Sequence, residues 1–173
     1  MKKKTKPKKT TNLKKKVAPV PKGYHTVTPY LTVRGAVEAI EFYKRALGAR
    51  EIMRMPGPDG KSVMHAELRI GDSIVMLSDE LPTSSCKAPT TLGGTTTMLF
   101  LYVPNVDAAF KQAVNAGCKI VIPPADMFWG DRFGALEDTY GHLWGLATHK
   151  EDVSPKEMSR RAPAAMAQME GKQ

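Results

Sequence analysis

Two stretches of this chain carry the same pattern, and that duplication constrains the fold more than any other feature. The first runs from Tyr30-Leu-Thr-Val33 into a helical stretch that stops at Gly48; the second runs from Phe100-Leu-Tyr-Val103 into one that stops at Gly117. Within each helix the inward positions fall at i, i+4, i+7 and i+11. They are Ala36, Ile40, Tyr43 and Leu47, then Val106, Phe110, Ala113 and Gly117. Short strand-like runs follow each helix. The chain therefore reads as α+β, with two βαβββ modules in tandem whose curved mixed sheet is expected to surround a central cavity.

Turn chemistry sets the boundaries. In the first module strands are expected at about 26–33, 49–55, 63–70 and 73–79, with a helix over 35–47. The turns are Pro56-Gly-Pro-Asp-Gly60 and Gly71-Asp72. A Pro/Ser/Thr/Gly-rich loop from Glu80 to Gly94 leads into strands at about 96–103, 118–122, 132–137 and 142–148, with a helix over 105–116. Ser154-Pro-Lys-Glu157 is a capping box with proline at N1 and opens a short helix to about Gln168, after which the end should fray. The folded unit is expected over 23–152, with modules at about 26–79 and 96–148, followed by the C-terminal helix and frayed end at 153–173.

The net charge of +9 does not describe the folded part. Residues 1–22 hold ten lysines and no acid. Of the 26 basic and 17 acidic side chains, 16 and 17 remain once the tail is set aside, a balance of −1. A Lys/Thr/Pro tail of this kind cannot bury enough apolar surface to fold and is expected to be disordered. Charge alone could bring it to nucleic acid or acidic lipid, but it has no interleaved aromatics or arginines for stacking or bidentate phosphate contacts. A solubilising extension is the plainer reading.

An apolar content of 42% is enough for a core. No apolar run approaches the roughly 18 residues of a membrane span, and no secretory h-region is present. Two cysteines make no disulfide framework: Cys118 opens an apolar strand and should be buried, and Cys86 sits in a polar loop without a nearby base. These features suit a reducing cytoplasm.

Three motifs resemble the vicinal-oxygen-chelate superfamily of glyoxalases, bleomycin- and fosfomycin-resistance proteins and extradiol dioxygenases. They are Ile40-Glu-Phe-Tyr43 with Leu47-Gly-Ala49, then His65-Ala-Glu-Leu68, then Phe128-Trp-Gly-Asp-Arg-Phe-Gly134 with Asp138-Thr-Tyr-Gly-His-Leu-Trp144. The last of these, with Thr148-His-Lys-Glu-Asp152, is most similar to the PhnB-like subgroup. The resemblance covers about three quarters of the chain and implies the duplicated fold and a homodimer; it does not by itself imply an activity.

The resemblance also implies where a divalent metal would be held, by His, Glu or Gln at one position in each of four strands. Those positions fall here at Thr28, Met76, Met98 and Gly145. None is a normal ligand for a hard metal, and a one-residue shift would turn each side chain to the other face. No metal or other cofactor is therefore expected. The exception would be a displaced site, for which His65, Glu67 and Glu137 are the candidates.

By alternation, Leu31, Val33, Val75, Leu77, Leu99, Leu101, Trp144 and Leu146 take the helix-covered face. Tyr30, Thr32, Met76, Met98, Phe100, Tyr102 and Gly145 take the other. His65 and Glu67, two apart on one strand face, are the candidate catalytic or ligand-orienting pair, unless they mark a solvated strand end. Trp129, Asp131 and Arg132 could supply a flat wall and orienting hydrogen bonds, or else anchor a loop through an internal Asp–Arg pair. His142 is expected in the core or at its edge, and His25 and His149 outside it.

Tyr30, Met76, Met98, Phe100, Tyr102 and Trp129 describe an adaptable, aromatic cavity for a planar or amphipathic small molecule. The leading expectation is a metal-independent binding protein that acts by sequestration. One alternative is an isomerase, lyase or dioxygenase using a displaced metal or His65–Glu67 acid–base chemistry. Another is an interaction module tethered by its basic tail.

Overall fold

The computed structural model describes residues 17–82 and 84–170, and the first sixteen residues of the expected tail lie outside them. The first module contains β1 (Tyr30–Val33), α1 (Ala36–Leu47), β2 (Arg50–Pro56), β3 (Val63–Ile70) and β4 (Ser73–Asp79). A one-turn helix, α2 (Pro89–Leu92), lies in the connection. The second module contains β5 (Met98–Tyr102), α3 (Val106–Ala116), β6 (Lys119–Asp126), β7 (Asp131–Glu137) and β8 (Leu143–His149), and α4 (Pro155–Glu170) follows.

Each module builds one four-stranded mixed sheet. The orders are β1-β4-β3-β2 and β5-β8-β7-β6, so the second repeats the first. In each, the first strand pairs parallel with the fourth, Tyr30 opposite Met76 and Phe100 opposite Gly145, and the remaining pairs are antiparallel. The helix supplies the crossover that parallel pairing requires. Both helices end where glycine at the C-cap takes a left-handed conformation, Gly48 at φ 65° and Gly117 at φ 117°.

α1 and α3 pack against each other as well as on their own sheets, so one core runs through both modules. Val33, Ile40, Tyr43, Leu68, Leu77, Trp144 and Leu146 are buried within it. Truncating a side chain such as Ile40 to alanine there costs about 2–5 kcal/mol.

Asp138 ties the modules together. It is buried and accepts hydrogen bonds from Tyr43 Oη (2.8 Å), Trp144 Nε1 (2.8 Å) and the amides of Tyr140 (2.8 Å) and His142 (3.0 Å). Burial, then the Asp138 charge, push the Tyr43 phenol well above its ordinary pKa. His142 is the core histidine expected, with Nε2 3.2 Å from the Thr32 carbonyl of the other module. Cys118 is likewise buried, and burial pushes its thiol up to about 12.

Three elements differ from the sequence expectation. β1 begins at Tyr30 rather than at about 26, so Thr28 precedes the strand. α2 falls inside the stretch read as a loop. Pro89 opens it, and Glu80 accepts from the Ala88 amide (3.0 Å) and from the Thr91 hydroxyl (2.5 Å). β6 extends to Asp126 through Pro123 and Pro124, which is tolerated because β6 is an edge strand with register shifts after Ile120 and Ile122.

Candidate functional site

The faces away from the helices differ between the modules. In the first, β3 presents His65 and Glu67 outward while Ala66 and Leu68 are fully buried beneath α1. His65 Nδ1 lies 3.1 Å from the Tyr30 hydroxyl, and His65 Nε2 lies 3.3 Å from Glu67 Oε1. The Tyr30 and His65 rings are 5.5 Å apart. Met76 pairs with both Tyr30 and Glu67 across the sheet, so it lies between them. Tyr24, which precedes β1, donates its hydroxyl to Glu67 Oε2; that hydrogen bond raises the phenol above its ordinary pKa.

The face of the second module is aromatic. Phe100 of β5 stacks on Phe133 of β7 at 5.3 Å, with their planes 2° apart. Tyr102 and Trp129 flank that stack at 5.2 Å from Phe100 and 6.0 Å from Phe133. Asp131, only 4% exposed, fixes both flanking rings by accepting from Tyr102 Oη (3.0 Å) and Trp129 Nε1 (3.1 Å). Its other oxygen meets His149 Nδ1 at 2.8 Å, and His149 Nε2 meets Asp152 at 3.0 Å. With a carboxylate on each ring nitrogen, Asp131 foremost, the His149 pKa is raised.

The turn carrying Trp129 is clamped from behind. Gly130 has φ 101° and its carbonyl accepts from the amides of Lys150 and Glu151. A Cβ there would lie 2.1 Å from the Glu151 carbonyl, so only glycine fits.

Arg132 does not join this face. One residue on from Asp131, it points to the helix side and pairs bidentately with Asp107 at the start of α3 (2.8 Å to each oxygen) and with Asp126 (3.2 Å). The internal Asp131–Arg132 pair weighed from sequence does not form, because strand alternation separates the two side chains. Glu137 is also set apart: it lines a small cleft with Pro89, Thr90, Gly93 and Leu143, away from the His65–Glu67 pair. Tyr24, Phe133 and His149 belong to the two faces but were missed as site residues.

A cleft of about 610 Å³ opens along β5, lined among others by Phe100, Tyr102, Leu146, Ala109, Ile70 and Asp72. A second, of about 400 Å³, lies between Tyr30 and Thr32 of β1 and Thr97 and Leu99 at the start of β5. Both have the size of small-molecule sites. Phe100 and Tyr102 remain 45% and 66% exposed beside the larger one.

A family model, the Glyoxalase/Bleomycin resistance protein/Dioxygenase superfamily, matches residues 24–146, most of the chain. The chain belongs to that superfamily. An uncharacterized protein of Mycobacterium bovis, Mb0911c, is 43% identical over 135 residues, 76% of this chain and 88% of its own length. TioX from Micromonospora sp. ML1 has 32% identity and a TM-score of 0.58, covering 71% of this chain and 97% of its own. The PhnB protein from Bacillus cereus shares the fold at 19% identity and a TM-score of 0.57, covering 72% of this chain and 99% of its own. Among the described residues no helix is long and apolar enough to cross a membrane.

The positions where the superfamily resemblance puts metal ligands do not fit a hard divalent ion. Thr28 spends its hydroxyl on the His25 carbonyl at 3.0 Å. Met76 and Met98 offer only thioether sulfur. At Gly145 a Cβ would lie 2.9 Å from both stacked rings, Phe100 and Phe133, and 3.1 Å from Met98 Sδ. A ligating side chain there would have to dismantle the stack. Among the described residues no three His, Cys, Asp or Glu side chains are grouped to hold a metal ion, and Glu137 does not join His65 and Glu67.

Proposed function

We propose that this protein binds and sequesters a planar, largely apolar small molecule along β5, without a metal ion. The Phe100–Phe133 stack carries this reading. It fills the space around Gly145, and with Tyr102 and Trp129 it forms a wall whose orientation the buried Asp131 holds in advance. Preorganised rings contribute contact area at small entropic cost. His65 and Glu67 would orient the polar end of the ligand.

The reading includes a homodimer. Beyond Phe100 and Tyr102, the chain exposes Tyr30, Met55, Met98, Ile120 and Val121 on its strands. Exposed apolar side chains on several strands favour cover by a second copy. Light scattering at twice 19.0 kDa is the expected result, and a 19.0 kDa particle at high concentration would refute the dimer. The free thiols of Cys86 and Cys118 suit the cytoplasm. If the basic tail reaches nucleic acid, it does so by charge alone, and its deletion should abolish a salt-dependent affinity.

A second reading is favoured by one observation: Tyr30, His65 and Glu67 form a chain of hydrogen-bonding groups able to move a proton. Turnover of a glyoxalase-type substrate that disappears in His65→Ala would favour it. The leading reading is tested by a thermal-shift screen of planar aromatics. Hits should raise the melting temperature of the wild-type chain and raise that of Phe100→Ala by less at the same ligand concentration. Equal shifts in both proteins would refute it.

A further inference from the structure

Residues 17–29 form no helix or strand, and most of their side chains are exposed. This strap nevertheless reaches the outer face of the first module. A turn closed by the Tyr24 amide on the Pro21 carbonyl (3.1 Å) aims Tyr24 inward, and its hydroxyl donates to Glu67 Oε2. Gly23 comes close enough to Arg69 that a Cβ there would lie 3.1 Å from Nη2. Tyr24 is half-buried while Lys22, Gly23 and His25 beside it are exposed.

The carboxylate that Tyr24 occupies faces His65 with its other oxygen, and His65 faces the Tyr30 hydroxyl. Glu67 is thus a partly buried acceptor, at 12% side-chain exposure, with aromatic groups around it. A hydroxyl donating to a carboxylate in such a setting forms a charge-assisted hydrogen bond, stronger than a neutral one. The position is filled by a phenol from a segment that forms no helix or strand and whose backbone meets the sheet at Pro29, where the carbonyl accepts from the Met76 amide at 2.9 Å.

We propose that Tyr24 is an internal stand-in for the ligand, and that the ligand presents an aromatic hydroxyl which takes the Tyr24 place on Glu67 and releases the strap. This rests on the reading that the outer face binds small molecules, and it deepens that reading to phenols. It also links ligand binding to the lysine-rich N-terminus, because the strap joins that segment to the fold. The apparent affinity of the resting protein is lowered by the fraction of chains in which Tyr24 holds Glu67.

The test compares two probes on the full chain, 2-naphthol and 2-methoxynaphthalene. They match in ring system, but only the first can donate a hydrogen bond. Tyr24→Ala should tighten 2-naphthol binding about ten-fold and leave 2-methoxynaphthalene nearly unchanged, the size of one competing charge-assisted hydrogen bond. Glu67→Gln should remove the preference for 2-naphthol, and saturating 2-naphthol should speed tryptic cleavage after Lys22 in the wild-type chain. Equal gains for both probes in Tyr24→Ala, or no gain for either, would overturn the stand-in role while leaving the binding reading intact. Failure of both probes to bind any of the proteins would overturn both. Tyr24→Phe, which keeps the ring, guards against a packing defect: it should show most of the 2-naphthol gain.

Discussion

The two modules share one strand order and one helix placement, yet their outer faces carry different chemistry. The first presents a line of polar groups, Tyr30, His65, Glu67 and Tyr24. The second presents stacked rings over a buried carboxylate, Phe100, Phe133, Tyr102 and Trp129 on Asp131. On the helix side they match: Ala36, Ile40 and Tyr43 of α1 are buried as Val106, Phe110 and Ala113 of α3 are. The fold therefore depends on one face of each sheet and leaves the other free for function.

The largest expected effect comes from breaking what the halves share. Asp138→Ala removes the acceptor for Tyr43, Trp144 and two amides, and should destabilise the chain by about 3 kcal/mol or more in urea denaturation. A loss below about 1 kcal/mol would show that the tie between modules is weaker than its geometry implies. Asp131→Ala acts in the second module alone. It should cost about 2 kcal/mol and loosen Tyr102 and Trp129, seen as a red shift in tryptophan emission because Trp144 stays buried.

Phe100→Ala should leave stability within about 1.5 kcal/mol of wild type, since Phe100 is 45% exposed, and weaken a bound planar ligand about ten-fold. The smallest effect is a pH dependence. Asp131 and Asp152 raise the His149 pKa above 6.5, so its stabilisation is complete below that value and is lost as pH rises through the raised pKa. Thermal melts of wild type and His149→Gln should differ at pH 6 and converge in alkaline solution. A gap that widens with pH would contradict the pairing.

Much of this was legible in the sequence because it is periodic. The i, i+4, i+7 spacing located both helices, and strand alternation placed Tyr30, Met76, Met98 and Phe100 opposite the helix-covered side chains. What stayed hidden depends on contacts between distant residues. Tyr24 precedes β1, and nothing local tells that its hydroxyl meets Glu67, forty-three positions on. His149 is exposed, as expected of a residue outside the core, but it closes β8 and its carboxylate partners were not foreseen. Its i, i+3 spacing to Asp152 was the available signal, but the decisive partner, Asp131, comes from β7. Arg132 shows the converse: a charged residue in a suggestive run is drawn to the start of α3 by Asp107. Alternation with Asp131 could have revealed that.

The most direct measurement is a calorimetric titration of 2-naphthol into EDTA-treated full-length protein, repeated with Phe100→Ala. Saturable binding that EDTA leaves unchanged, and that weakens about ten-fold in the variant, is the predicted result. Binding that appears only after a divalent ion is added, or that ignores the loss of Phe100, would contradict a metal-independent site on the aromatic face.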